Sequence, residues 1–354
     1  MIGISLLTLV PGVVGGSETY ARELTRALHR VGSLEYRVFV PSIAPDAAGN
    51  LPALTVSSYR ASHGMAGRVA AMGLAAALPG RIRRDLRLHE LDAMHFPLTV
   101  MLPPVDDPPA ATTVLDVQHE YFPSFFSRAE LAYRRVVYGW TARRSRLVVA
   151  ISEHVKHTLV ERLRLDADRI RVIHLGVDHV RFTPGGGARE PLLVYPANRW
   201  PHKNHDRLLR AFALLRAERS ELRLVLTGSG HDGMPLPEGV EARGRVSADD
   251  LADLYRRASA LVFPSLYEGF GQPPLEAMAS GCPVAASTAG ALPEICGDAA
   301  RLFDPTAPEE IAAAIADVLD DPGGYVARGL ERAALFSWDA CAHRHEDLYR
   351  ELAA

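Results

Sequence analysis

With 354 residues, 48% of them hydrophobic and 23% charged, the chain is long enough for two globular cores and has the composition of an ordinary water-soluble protein. A net charge of −3 gives no sign of a nucleic-acid partner. Cys282, Cys296 and Cys341 are three in number and widely spaced, which excludes a disulfide framework and a Cys-x-x-Cys metal pair and reads as free thiols in a reducing cytoplasm.

The chain opens Met1-Ile2-Gly3-Ile4 with no basic leader segment, so a first strand is expected over residues 2–10, and not a signal peptide. A helix follows over 17–31, then strands over 36–40, 93–96, 112–115, 147–151 and 170–174, with helices over 128–144 and 153–163. Between 66 and 88 Ala and Leu mix with Arg68, Arg81, Arg83, Arg84 and Arg87. That pattern suits either a solvated helix or a basic, partly apolar helix lying on an anionic membrane. No apolar run approaches the ~18 residues of a membrane span.

Phe182-Thr183-Pro184-Gly185-Gly186-Gly187 reads as a linker. Beyond it the alternation restarts, with strands over 192–195, 222–226, 260–263 and 284–286 and helices over 204–216, 248–257, 274–279 and 308–319. The expected fold class is therefore α/β, two doubly wound parallel-sheet domains facing a cleft. The expected division is 1–182, 183–337, and a last helix over 338–354 that crosses back to the first domain.

Four segments carry chemistry. Gly12-Val13-Val14-Gly15-Gly16-Ser17 joins the first strand to a helix and suits a phosphate at the helix N-terminus, or else a plain turn with Ser17 as N-cap. It is neither a dinucleotide fingerprint nor a Walker A loop. Arg199 and Lys203 flank Trp200-Pro201-His202 at another helix start, two cations suited to a diphosphate. Glu268-Gly269-Phe270-Gly271-Gln272-Pro273-Pro274-Leu275-Glu276 sets two acids eight positions apart around two glycines. The prolines are expected to start a helix that holds Glu276 in its first turn. His119 follows a strand in Asp116-Val117-Gln118-His119-Glu120 and is expected to face the cleft.

In order and spacing, Gly15-Gly16, His119, Arg199 with Lys203, and Glu268 to Glu276 resemble the family 4 retaining glycosyltransferases, which have the GT-B fold. Residues 170–178, Gly244-Arg245-Val246 and Pro293-Glu294 resemble the family's intervening segments. The resemblance implies a hexosyltransferase in which Arg199 and Lys203 bind the diphosphate and Glu276 holds the ribose. Glu268, Gly269, Phe270 and Gly271 would hold the donor sugar, and Val246 would contact the base. His119 would approach the reacting centre, and Gly15 and Gly16 would face the β-phosphate. Trp200-Pro201-His202-Lys203-Asn204 resembles members that handle mannose or rhamnose, and Tyr121-Phe122-Pro123 departs from the usual polar pair on the acceptor side.

The partners so implied are a nucleotide diphosphate-sugar donor and a hydroxyl acceptor: a polysaccharide, a lipid-linked glycan or a natural product. No cofactor and no metal are expected. Asp166-Ala167-Asp168 fits a metal-binding string but sits in a surface turn, and His202-x-x-His205 lacks further ligands. A sugar-nucleotide epimerase of the same architecture and a non-catalytic nucleotide-sugar binder stand as alternatives. The expected location is the cytoplasm, with contact at the inner membrane face.

Overall fold

The computed structural model describes residues 1–13, 15–231 and 233–354, and of Met65 and Ala66 the backbone alone. Val14, in the expected phosphate loop, lies outside the described residues. The chain forms two compact units. Met1–Gly176 with Trp338–Ala354 make the first, and Val177–Ser337 the second. Residues 177–182, expected in the first domain, belong to the second. Val177 bridges to Ser337 there, and Phe182 is buried with its ring 6.0 Å from that of Tyr255.

The first unit is built on a parallel sheet of β1 (Ile2–Ser5), β2 (Tyr36–Val40), β3 (Ala53–Thr55), β4 (Ala93–Phe96), β5 (Ala110–Val114), β6 (Leu147–Ala150) and β7 (Ile170–Val172). Its strand order is β3-β2-β1-β4-β5-β6-β7. The second unit repeats this plan with β8 (Glu190–Pro196), β9 (Arg223–Thr227), β10 (Val240–Ala242), β11 (Ala258–Phe263), β12 (Val284–Ser287) and β13 (Ala300–Phe303), in the order β10-β9-β8-β11-β12-β13. Every pairing between these strands is parallel. Such strands are covered on both faces and are therefore mostly apolar along their whole length: β1, β4, β5, β6 and β12 are buried at every residue, with Ser5, His95, Thr112, Thr113 and Ser287 the polar members.

The order reverses direction between β1 and β4 in one sheet and between β8 and β11 in the other. The loops at the carboxyl ends of these strands flank the crevice where doubly wound sheets bind ligands. Helices cover the sheets by ordinary amphipathic logic. The helix Ala248–Arg257 is capped by Ser247, which accepts the Asp250 amide at 3.0 Å. Asp249 and Asp250 lie in its first turn and Arg256 and Arg257 in its last, complementing the helix dipole, and Leu254 and Tyr255 are buried.

The first strand is shorter than expected. After Ser5 the apolar run Leu6–Val10 stays largely buried, but the Leu9 amide bonds back to Leu6, which makes a turn and not a sheet edge. Residues 66–88 hold two helices, Met65–Ala77 and Gly80–Leu86, separated at Leu78-Pro79.

Candidate active site

In the second unit, β8 delivers the Arg199–Lys203 segment and its neighbour β11 delivers Glu268. The Lys203 ammonium lies 2.6 Å from a Glu268 carboxylate oxygen, and both side chains are largely buried. The Phe263 ring at the end of β11 lies 5.2 Å under the same ammonium. Two residues far apart in sequence thus meet because their strands adjoin at the reversal of strand order.

The backbone that presents Lys203 is fixed from several sides. The Tyr195 hydroxyl donates to the Lys203 carbonyl at 2.5 Å, and the Leu266 amide to the His202 carbonyl at 2.7 Å. Asn204 is buried at φ +60°, and its side-chain amide donates to the Pro264 carbonyl at 3.0 Å and the Pro305 carbonyl at 2.7 Å. Arg199 is more open, with its guanidinium 3.8 Å from Asp206.

Glu268 is followed by the Gly-Phe-Gly turn. Gly271 caps the next helix at φ +118°, a backbone region closed to other residues, and a Cβ there would lie 2.8 Å from a Leu292 methyl. Phe270 is buried, edge-on to Phe336 at 6.1 Å. The helix runs Gln272–Ala279, so it starts earlier than the prolines suggest, because Gly271 itself is the cap. Glu276 accordingly sits in the second turn and not the first. The dipole of the first turn does not act on it, and burial lifts its carboxyl to about 7. The Tyr255 hydroxyl, which donates to it at 3.4 Å, and Arg181 oppose that rise, and Asp178 adds to it.

Beside β9 and β10 lies a cavity of about 390 Å³, lined by Gly228, Ser229, His231, Met234, Gly244 and Arg245. Val246, the expected base contact, is the half-buried residue that follows. The buried His231 ring bonds the Ala197 carbonyl through Nε2 at 3.2 Å and leaves Nδ1 without a hydrogen-bond partner among the described residues. Asn198 accepts both the amide (2.8 Å) and the hydroxyl (2.9 Å) of Ser229, tying the loop after β8 to the loop after β9. The sequence marks Asn204 as the end of the Trp200–Asn204 string but not its bonds to the Pro264 and Pro305 carbonyls, and it does not single out Asn198 or the Gly228-Ser229-Gly230 turn. The glycine-rich strand end at 228–230 is the same signal that marks Gly15-Gly16.

The remaining expected residues lie in the first unit. Gly15 caps the helix Gly16–Val31 at φ +54°, ψ −128°, so the cap is Gly15 and not Ser17, and a Cβ at Gly15 or Gly16 would meet nothing within 4 Å. The Gly12 amide donates to Glu18 at 2.7 Å. His119 lies in the short helix Gln118–Tyr121 after β5, fully buried, with the Tyr138 and Phe126 rings edge-on at 5.5 and 6.4 Å. Burial lowers its pKa, against the pull of Glu120 and Asp116, and favours the neutral ring. Neither nitrogen has a hydrogen-bond partner among the described residues, though Nε2 is 3.6 Å from Glu120.

Asp166 accepts the Asp168 amide at 3.0 Å and so caps its own 3-10 turn. Among the described residues no group of three or more His, Cys, Asp or Glu converges as a metal site, and no helix is long and apolar enough to cross a membrane.

A sequence profile for Glycosyltransferase Family 4 matches residues 14–181, and one for Glycosyl transferases group 1 matches residues 190–321. O-antigen chain mannosyltransferase B of Escherichia coli is 30% identical over 269 residues, which is 69% of this chain and 70% of that protein. MMP alpha-(1->4)-mannosyltransferase of Mycolicibacterium hassiacum is 33% identical over 60% of this chain and 56% of its own length. The sucrose-phosphate synthase structure from Thermosynechococcus elongatus superposes with a TM-score of 0.77 at 20% identity, covering 99% of this chain and 98% of that one, a likeness of fold. The chain belongs to glycosyltransferase family 4 and is a glycosyltransferase with two parallel-sheet α/β units of the GT-B class.

Proposed function

We propose that the protein is a metal-independent, retaining hexosyltransferase that takes a nucleotide diphosphate-sugar and delivers the sugar to a hydroxyl acceptor. The observation that carries this reading is the convergence of Lys203 and Glu268 at the strand-order reversal of the second unit, with Arg199 on the same loop and Glu276 one helix turn beyond the Gly-Phe-Gly bend. Both relatives named above are called mannosyltransferases, which supports a mannose-like donor sugar.

In this reading Arg199 and Lys203 neutralise the diphosphate, and Glu268 with the backbone at Gly269, Phe270 and Gly271 holds the sugar hydroxyls. Glu276 holds the ribose. The cavity beside Gly244 and Val246 receives the base, where the Nδ1 of the buried His231 ring, without a hydrogen-bond partner among the described residues, offers it a polar contact. As the bond from C1 to the phosphate oxygen breaks, charge gathers on the β-phosphate, and the two cations with the Gly15 and Gly16 amides stabilise it. No side chain of these motifs stands as a nucleophile for a double displacement. The acceptor oxygen therefore bonds to C1 on the face the phosphate leaves, and its proton passes to a phosphate oxygen. His119 enters as the partner of a sugar hydroxyl. Its two unsatisfied nitrogens support that role, and reaching them requires the aromatic cover to move.

The test is a product assay on the wild type and on Lys203→Ala and Arg199→Ala, run with and without excess EDTA. Nucleoside diphosphate should appear only when an acceptor is present, the product anomer should match the donor, and EDTA should leave the rate unchanged. Each substitution should lower kcat/KM by about 10² or more. Near-wild-type turnover in both variants would falsify the diphosphate assignment, and an inverted anomer would remove the same-face mechanism.

A further inference from the structure

A helix that is apolar on all sides belongs in a core. The helix Met65–Ala77 carries one charged residue, Arg68, yet only one of its faces is covered: Ala75, with Ala71 and Met72 beside it, packs into the core of the first unit. The opposite face presents Val69, Ala70, Gly73 and Leu74 to solvent, and Leu78 continues it. Val69 is 60% exposed, Leu74 63% and Leu78 68%.

The helix Arg128–Arg144 adjoins it, since the Tyr133 hydroxyl reaches the Met72 sulfur at 3.8 Å, and it adds Tyr133, Val136 (68% exposed) and Trp140 (40%). Six of the eleven large exposed hydrophobic side chains among the described residues thus fall on two neighbouring helices and the turn after one of them. Concentration of this kind marks an interaction surface, whereas singly scattered residues do not.

The charge around the patch selects the partner. Residues 65–87 hold five arginines and one acid, and residues 128–144 hold the same, in a chain whose net charge is −3. Arg134, Arg135 and Arg144 pair with Glu130, Glu120 and Asp106. Arg81, Arg84 and Arg128 are exposed and have no acid partner among the described residues. Unpaired guanidinium groups beside an exposed apolar face match phosphate headgroups above acyl chains, and exposed Trp and Tyr favour the same boundary.

We propose that this face docks the protein on an anionic lipid bilayer, with Leu74, Leu78, Val136 and Trp140 entering the headgroup boundary. None of these residues belongs to the candidate donor site, so the proposal stands independently of it. The experiment is flotation of the full chain with phosphatidylcholine vesicles and with vesicles of equal parts phosphatidylcholine and phosphatidylglycerol.

The chain should float with the anionic vesicles at low salt, release at high salt, and ignore the neutral ones. Leu74→Glu with Leu78→Glu, and separately Val136→Glu, should each cut the bound fraction by about tenfold or more while leaving turnover with a water-soluble acceptor and the melting temperature unchanged. With Trp200→Phe and Trp338→Phe in place, emission from Trp140 should shift to the blue on vesicle addition. Absence of flotation at low salt, or flotation indifferent to the glutamates, overturns the proposal. So does light scattering that shows the patch buried in a dimer which Leu74→Glu dissolves.

Discussion

Glu268 and Glu276 stand eight positions apart and meet opposite surroundings. One is neutralised by an ammonium at 2.6 Å, and the other is pressed toward its protonated form by burial, which the Tyr255 hydroxyl and Arg181 oppose without overcoming. A carboxyl whose folded pKa lies near 7, above its ordinary 4.5, keeps its proton in the fold. The stability tied to it is full below 4.5 and declines as pH rises toward 7. In the proposed role Glu276 accepts two ribose hydroxyls, which calls for the ionised form, so nucleotide binding is expected to expel that proton. Affinity for a bare nucleotide diphosphate should therefore climb between about pH 5 and 7 and level off above, with proton release seen by calorimetry in buffers of contrasting ionisation enthalpy. Glu276→Gln should abolish the climb and weaken binding by roughly 1.5 to 3 kcal/mol. Glu268→Gln should spare nucleotide affinity and lower kcat with the intact donor. The opposite pattern would exchange the two roles.

At the scale of elements, the helix Trp338–Ala353 is held to the first unit by a polar chain with a single consistent proton order. His345 Nδ1 must donate to the Cys341 carbonyl at 2.8 Å, so its Nε2 accepts from Tyr20 at 2.9 Å. Tyr20 in turn accepts from Thr113, Thr113 from His95 Nε2, and His95 Nδ1 from the Tyr349 hydroxyl, all at 2.8 to 2.9 Å. That order needs both histidines neutral, and burial holds His345 at about 4 and His95 well below its usual value. On the same helix, burial raises Glu346, but donors on Tyr36, Ser33 and Leu34 outweigh it and set the carboxyl at about 2.

Stability from a depressed carboxyl is present above 4.5 and lost as pH falls toward 2. Glu346→Gln should flatten that part of the acid limb in urea unfolding followed against pH, and leave the part due to the histidines. Tyr349→Phe, which strands His95 Nδ1, should cost about 1 to 3 kcal/mol. A full acid limb in Glu346→Gln would contradict this account.

The elements also mark what the sequence made legible. β6 is an unbroken apolar run and β4 and β12 are apolar but for His95 and Ser287, so all three could be read directly. β3 and β10 are three-residue edge strands with exposed positions, and β13 is interrupted by exposed Arg301, so none carries a run long enough to register. The motif residues were legible because glycine, charge and strand ends recur at fixed spacing. The Lys203–Glu268 pair was not, because it depends on β8 lying beside β11, an adjacency that local patterns do not contain. Pro273 and Pro274 read as the start of the Glu276 helix, whereas the left-handed Gly271 before them sets it.

At the scale of the molecule, one strand plan occurs twice, and the residues proposed to grip nucleotide and sugar lie mainly in the second copy. Nucleotide diphosphate at a hundred times its Kd should add about 2.7 kcal/mol to the stability of that unit. Hydrogen exchange on the intact chain should slow in β8, β9 and β11 and stay unchanged in β2 and β6. Slowing that began in β2 and β6 would place the nucleotide in the wrong unit. The first unit has a further property: its chain is interrupted at Gly176 and resumes at Trp338. On a ribosome all seven of its strands emerge before the helix that supplies Tyr349, His345 and Glu346. His95, Tyr20 and Tyr36 then wait for their partners while the whole second unit is made. Domains generally complete in the order of their synthesis. Here the unit that begins first is the one that finishes last, and its completion reports that the other has already been translated.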